Sequence, residues 1–194
     1  MSPILDRTAV TDAPILDVLA ERWSTRIFDA EAILDEAALA SALEAARWAP
    51  SASNTQPTRF IVARRGTDAH AAVFGALMGF NQAWAGDASA LVVVLAETET
   101  ADGTAQPWAL YDAGQAAAHF TVQAHADGLF THQMGGFLPD AVRDAFEIDA
   151  RLRPLTVIAV GTLGDPERAP EALRERENLP RTRRPVAETV IVDD

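Results

Sequence analysis

The stretch Arg47-Trp48-Ala49-Pro50-Ser51-Ala52-Ser53-Asn54-Thr55-Gln56-Pro57-Thr58-Arg59-Phe60 joins a strongly periodic segment to a short apolar run. Pro50 and Pro57 lack a backbone donor and have a fixed φ, and they bracket the small polar residues between them. A loop of this kind can lie flat against a planar ligand. Ser51, Ser53, Asn54 and Gln56 then offer hydroxyl and amide groups to the ligand's edge. The plainer reading is a helix-to-strand connector whose polar residues only turn the chain.

Upstream of the loop, Leu39, Ala42, Leu43 and Ala46 recur at helical spacing, and Asp35 is the expected N-cap. The helix must stop before Pro50, because a residue preceding proline avoids the α region. Further back, Leu16, Val18, Leu19 and Trp23 predict a short helix leading into Glu21-Arg22-Trp23-Ser24-Thr25-Arg26-Ile27-Phe28. In an extended chain Arg22, Ser24 and Arg26 project to one side, and two cations with a hydroxyl suit a phosphate or other anion. A solvated, half-polar strand is the alternative. Residues 1 to 14 read as an extended arm.

Downstream, Phe60 to Ala63 read as a strand. Residues 68 to 85 are expected to form one helix with the apolar stripe Val73, Phe74, Leu77 and Phe80, and with Asn81 and Trp84 at its C-terminal end. Leu91 to Leu95 predict a central strand buried on both faces. The polar run from Glu97 to Pro107, with Gly103, is read as a loop and a candidate lid. The longest helix is expected from Pro107 to Asp127, with Gly128 as its stop. Its many small residues favour a central position at a subunit interface. Leu129 to Met134 form a strand ending at Gly135-Gly136-Phe137, Pro139 opens a short helix to Phe146, and Leu155 to Val160 form the last core strand. From Asp165 the chain is read as extended and wrapped on another surface. Neither a repeat nor a linker divides the chain, so one domain spanning residues 1–194 is expected.

Composition narrows the function. Of 194 residues, 48% are hydrophobic and 23% charged, which is ordinary for a globular protein. The net charge of −12 argues against nucleic acid and anionic membrane as partners. With no cysteine, disulfides and thiolate chemistry are excluded. The N-terminus shows no basic start followed by an apolar run, and no run is long enough to span a bilayer, so a soluble cytoplasmic protein is expected. His119, His125 and His132 form neither an i,i+4 pair nor an HExxH pattern, so no metal site is expected. No Gly-x-Gly-x-x-Gly follows a strand, so no separate Rossmann nucleotide site is indicated.

Three stretches in order, Arg22 to Phe28, Pro50 to Phe60, and Leu179-Pro180-Arg181-Thr182-Arg183-Arg184-Pro185, resemble the nitroreductase family of FMN-dependent oxidoreductases. The resemblance runs from about Leu16 to Val192. It implies an α+β fold with a central, mainly antiparallel mixed sheet flanked by helices, working as a homodimer with an exchanged C-terminal arm. It assigns Arg22, Ser24, Arg181 and Arg183 to the FMN phosphate, where guanidinium geometry matches the anion. Asn54, Asn81 and Gln56 fall to the flavin and ribityl edge. Pro50, Ser51, Ala52 and Ser53 would lie against the ring from the other subunit. Arg26 matches the basic residue that stabilises negative charge near flavin N1 and O2. Gly135 and Gly136 match the turn whose backbone N–H reaches N5, with Gly136 the better candidate, since glycine allows close approach. Arg26 and Gly136 are therefore the candidate catalytic positions.

The implied activity is ping-pong reduction of a nitroaromatic, quinone or similar acceptor by NAD(P)H through FMN. Other flavin chemistry on the same scaffold, such as reductive dehalogenation or flavin fragmentation, and a non-enzymatic FMN-storage role are the alternatives. One position departs from the pattern. Several family members carry a lysine three residues after the helix asparagine, and here that residue is Trp84. A less easily reduced flavin, or a pocket shaped for aromatic substrates, is the expected consequence. Phe74, Phe80, Trp108 and Tyr111 are candidate pocket walls or core residues.

Overall fold

The structure is a computed structural model that describes residues 7–192. The N-terminal arm expected over residues 1 to 14 therefore lies partly outside the described residues. Eleven elements follow in chain order: α1 (Asp17–Glu21), α2 (Glu36–Arg47), β1 (Thr58–Arg64), α3 (Asp68–Gly75), α4 (Gln82–Ala85), β2 (Ala90–Glu97), α5 (Ala109–Ala126), β3 (Phe130–Met134), α6 (Pro139–Ala145), β4 (Leu152–Gly161) and α7 (Glu171–Glu177). Short 3₁₀ turns lie between them at Ala52–Asn54, Gly79–Asn81, Pro166–Arg168 and Val186–Glu188.

The fold is α+β. The strands form one sheet in the order β1-β2-β4-β3, and every pairing among the described residues is antiparallel. β2 is buried along almost its whole length, as its apolar run predicts for a strand covered on both faces. The register of β2 on β4 shifts between Val94 and Leu95, where Leu95 faces Pro154. Proline cannot donate to the ladder, and a bulge absorbs that loss.

Alternate residues of the strands feed two cores. Leu91, Val93 and Leu95 pack with Ile27, Phe28, Val73, Trp84, Val142 and Leu173. Val92, Val94 and Ala96 pack on the other face with α2 and α5, through Leu39, Ala42, Ala113, Ala117 and Phe120. Asp35 caps α2 by accepting hydrogen bonds from Ala37 N at 2.9 Å and Ala38 N at 3.0 Å. Among the described residues, no helix is long and apolar enough to cross a membrane.

Two expectations need correction. Residues 68 to 85 do not form one helix. α3 ends at Gly75, the chain makes a bridge between Leu77 and Phe137, and Gly79 at φ 42° turns it into the 3₁₀ turn before α4. A left-handed φ suits glycine because it has no Cβ. The segment after Asp165 is not extended throughout either. It contains α7, whose Leu173 enters the core and whose Glu177 is buried. The run from 97 to 107 is a hydrogen-bonded hairpin, with Thr100 N donating to Thr104 O at 2.9 Å and Gln106 N to Thr98 O at 2.7 Å.

Candidate functional site

Residues 22 to 28 alternate strictly up to Ile27. Trp23, Thr25 and Ile27 are buried, while Arg22, Ser24 and Arg26 turn outward. The buried set fixes the segment. Trp23 packs edge-on to Phe130, Thr25 Oγ1 accepts from Ile27 N at 3.0 Å, and His132 Nδ1–H donates to the Thr25 carbonyl at 2.8 Å. Glu177 of α7 completes the clamp. One carboxylate oxygen accepts from the Trp23 indole N–H and the other from Arg26 N at 3.2 Å.

That clamp brings the C-terminal arginines to the first motif. Arg181 donates to the carbonyls of Arg7 and Ala20, and Arg7 donates to Leu179 O at 2.8 Å. Arg22, Ser24, Arg26, Arg176, Arg181 and Arg183 consequently line one cavity of about 230 Å³. Within the described residues, Arg22, Arg181 and Arg183 make no salt bridge. Burial lowers the pKa of Arg22, and the neighbouring Arg183 lowers it further. Burial also lowers that of Arg181, followed by Arg22, Arg183 and Arg7. Among the described residues, the buried Nε atoms of Arg7, Arg22 and Arg26 have no hydrogen-bond partner. Like charges held together with unpartnered donors fit a multiply charged anion such as a phosphate.

Arg26 leads from this cavity toward the second part of the site. Its guanidinium carbon lies 5.8 Å from the Phe80 ring centroid, and that of Arg176 lies 4.4 Å from the same ring. Burial lowers the pKa of Arg26, as does Arg176, while Glu177 raises it. Asn81 follows Phe80, and its Nδ2 donates to Gly136 O at 3.0 Å. Met78 N donates to the same carbonyl at 2.9 Å. The break between α3 and α4 is what brings Asn81 to the glycine turn. A Cβ on Gly136 would stand 2.9 Å from Asn81 Nδ2, whereas Gly135 has open space around it. A side chain at 136 would therefore have to push the Asn81 amide aside.

The Pro50–Gln56 loop lies elsewhere. Pro50, Ser51 and Gln56 line a second cavity of about 280 Å³ with Leu43, Ala46, Phe60, Asp112 and Ala116, and no residue of the arginine cavity lines it. Ser53, Asn54 and Gln56 take left-handed φ values of 51°, 56° and 50°. Residues 53 to 56 are exposed.

The remaining candidates separate cleanly. Trp84 is 1% exposed, with its ring 4.6 Å from His132 and 6.2 Å from Phe28, so it is a core residue rather than a pocket wall. Phe74 packs against the same core. Trp108 and Tyr111 stand exposed at the start of α5. His119 is exposed, His125 packs edge-on to Phe130, and His132 is buried. Among the described residues, no three His, Cys, Asp or Glu side chains converge as metal ligands. Sequence reasoning missed Glu177, Arg176 and Asp112. Glu177 stands one helical turn after Leu173, and Asp112 interrupts the alanine stripe of α5. A carboxylate on an apolar stripe is the signal that could have found both.

Known proteins resemble the chain in sequence and fold. A sequence profile of the Nitroreductase family matches residues 19–79 and 66–162. The chain is similar to the crystal structure of an oxidoreductase containing FMN, with 33% identity, a TM-score of 0.88, and 98% of this chain and 96% of that chain covered. It is also similar in fold to a putative nitroreductase in complex with FMN from Desulfovibrio desulfuricans, at 24% identity and a TM-score of 0.76, covering 95% of this chain and 99% of that one. Over 133 residues it is 41% identical to an uncharacterised 15.4 kDa protein in the ask 5′ region of Mycolicibacterium smegmatis, covering 64% of this chain and 88% of that protein.

Proposed function

The chain belongs to the nitroreductase family, and from that premise we propose that it is an FMN-dependent oxidoreductase that reduces a nitroaromatic, quinone or similar conjugated acceptor with electrons from NAD(P)H, in ping-pong order. FMN, when bound, supplies the two-electron chemistry that links nicotinamide to acceptor. The observation that carries the reading is the cluster of Arg22, Arg181 and Arg183, which make no salt bridge among the described residues, continued through Arg26 and Phe80 to Asn81 and Gly136. Arg22, Ser24, Arg181 and Arg183 bind the phosphate. Arg26, on the Phe80 side of the same cavity, would place a positive charge where it favours negative charge developing on the bound cofactor. Asn81, anchored on Gly136 O, would offer its amide oxygen to the flavin edge. Gly135 and Gly136 add no side chains of their own, so a backbone N–H of the turn would be free to approach that edge.

The protein acts as a single-domain homodimer in the cytoplasm. The Pro50–Gln56 loop, with Ala52 and Ser53 at its tip and Asn54 and Gln56 beside them, reaches the partner's cofactor, since in one chain it lies outside the arginine cavity. Trp48, Trp108 and Tyr111, at 71%, 62% and 66% exposed, supply an apolar face for that contact. β1 is an edge strand, and Val186, Val190, Ile191 and Val192 are exposed on the arm. The partner's arm covering that edge accounts for both features.

The test is the visible spectrum of the purified protein, chromatography of any heat-released chromophore, and NAD(P)H oxidation with a panel of acceptors. A yellow protein releasing about one FMN per subunit, with turnover on at least one acceptor, is the expected result. A colourless protein that takes up no added FMN would remove the cofactor. Tight FMN binding without turnover on any acceptor would remove the enzyme and leave a binding protein.

A further inference from the structure

Asp112 lies in the first turn of α5 and is 3% exposed. It shares the buried stripe of that helix with Ala109, Ala113 and Ala116. A buried carboxylate costs free energy unless it is hydrogen-bonded, and packing alone would be served by another alanine. Its Oδ2 accepts a hydrogen bond from Ala52 N at 3.0 Å, across 60 residues of sequence.

The other hydrogen bonds of residues 50–56 stay local. Gln56 N donates to Ser51 Oγ at 3.0 Å, the Gln56 amide donates to Asn54 O at 3.3 Å, and Arg59 donates to Gln56 O at 2.7 Å. Asn54 N donates to Ser51 O at 3.0 Å, and Thr55 N to Ala52 O at 3.1 Å. These bonds shape the loop but do not tie it to the body of the protein. Beneath the loop, Pro50, Ser51 and Gln56 face a cavity lined by Leu43, Ala46, Phe60 and Ala116. Three residues in this short run hold left-handed φ without being glycine. Such conformations persist only where the surroundings over-determine them.

We propose that Asp112 is a positioning residue for the site: through Ala52 N–H its buried carboxylate holds the Ser51–Gln56 loop in its left-handed form and at its height above α5. The loop's effect on a cofactor rests on the proposed function, which sets it against the partner's FMN. Asp112 itself touches no cofactor. Its influence passes through the backbone of Ala52.

Two measurements on wild type, Asp112→Ala and Asp112→Asn test this. The first is hydrogen–deuterium exchange of the apoprotein over residues 50–56 and over α5. The second is FMN affinity, with the visible circular dichroism of the bound flavin. Asp112→Ala should speed exchange at residues 50–56 while α5 stays protected. It should weaken FMN binding by about tenfold and alter the flavin dichroism. Asp112→Asn keeps an acceptor oxygen and should recover part of each effect, and it is the variant to read if Asp112→Ala does not fold. Unchanged exchange at residues 50–56 in both variants would overturn the role of Asp112. A loosened loop with unchanged FMN affinity and dichroism would overturn the link to the cofactor. If wild type binds no FMN, the proposed function fails, and the exchange experiment still decides whether Asp112 holds the loop.

Discussion

The arginine cavity and the Pro50–Gln56 loop are assembled in opposite ways. The cavity joins the two ends of the sequence, with Arg22 beside Arg181 and Arg183. The loop is one continuous run whose hydrogen bonds, apart from that to Asp112, are local. Yet each is anchored by one buried carboxylate. Glu177 and Asp112 are both 3% exposed, and both accept from backbone N–H groups. The anchors differ in what they secure. Glu177 gathers cations whose summed field tolerates small displacements. Asp112 secures a backbone shape, and a shape is lost when it shifts by a fraction of an ångström.

Removing the cations should have the largest effect and leave folding nearly untouched. Charge-assisted contacts are worth about 1.5–3 kcal/mol each, so Arg22→Ala with Arg181→Ala should raise the FMN dissociation constant by about 10²–10⁴-fold. Apoprotein stability should hold or fall only slightly, because the variant also removes cations that repel one another. Fluorescence titration with FMN and a thermal melt of the apoprotein check both halves. A large drop in melting temperature with unchanged FMN affinity would make the arginines structural.

The two anchors should differ next. Glu177→Ala leaves the Trp23 indole N–H and Arg26 N without their acceptor and should cost about 2–4 kcal/mol in urea unfolding. Asp112→Ala strands one backbone N–H beside an existing cavity and should cost about 1–2 kcal/mol. Equal losses would show that the loop is as firmly built into the core as the first motif.

This contrast also explains what the sequence could and could not disclose. Periodicity located α2, β2 and α5, and the capping role of Asp35 was legible, because those signals are local. Alternation in residues 22 to 27 was legible for the same reason, and it placed Arg22, Ser24 and Arg26 on one side. The break between α3 and α4 was hidden, since Leu77 and Phe80 continue a helical stripe while Leu77 in fact bridges to Phe137, sixty residues on. α7 was masked by its Pro, Glu and Arg content, and only docking of Leu173 into the core reveals its apolar side. Trp84 could be placed beside the asparagine by number, but its burial against His132 depends on how α4 packs. The partners of Glu177 and Asp112 lie 151 and 60 residues away, beyond any local pattern.

The turn at Gly136 gives a smaller, sharper test of how the arginine end meets the proposed flavin edge. A Cβ there would stand 2.9 Å from Asn81 Nδ2, so Gly136→Ala must displace the asparagine. Asn81→Ala removes the obstacle together with its hydrogen bond to Gly136 O. Each single variant should weaken FMN binding by about 1 kcal/mol, and the double variant should be no worse than either. Additive losses in that cycle would mean that the two residues act on the cofactor separately.

The smallest expected effect concerns pH and lies beneath the arginine end rather than the loop. Burial pushes the His132 imidazole below its ordinary pKa of 6.5, with Arg26 adding to the shift, while the hydrogen bonds to the Thr25 and Ser24 backbone and the charge of Glu177 oppose it. His70 and His125 are also lowered, chiefly by burial. A group whose folded pKa is depressed favours the folded state fully above its unfolded pKa. That contribution is lost as pH falls through about 6.5 toward the folded value, because the unfolded chain takes up the proton first. Urea midpoints should therefore decline between pH 7.5 and 5.5. His132→Asn keeps an N–H for the Thr25 carbonyl but cannot titrate in this range, so it should flatten part of that decline and leave the rest to His70 and His125. An unchanged slope in His132→Asn would show that protonating this imidazole is as easy in the folded chain as in the unfolded one. The first motif would then rest on a softer floor than its hydrogen bonds imply.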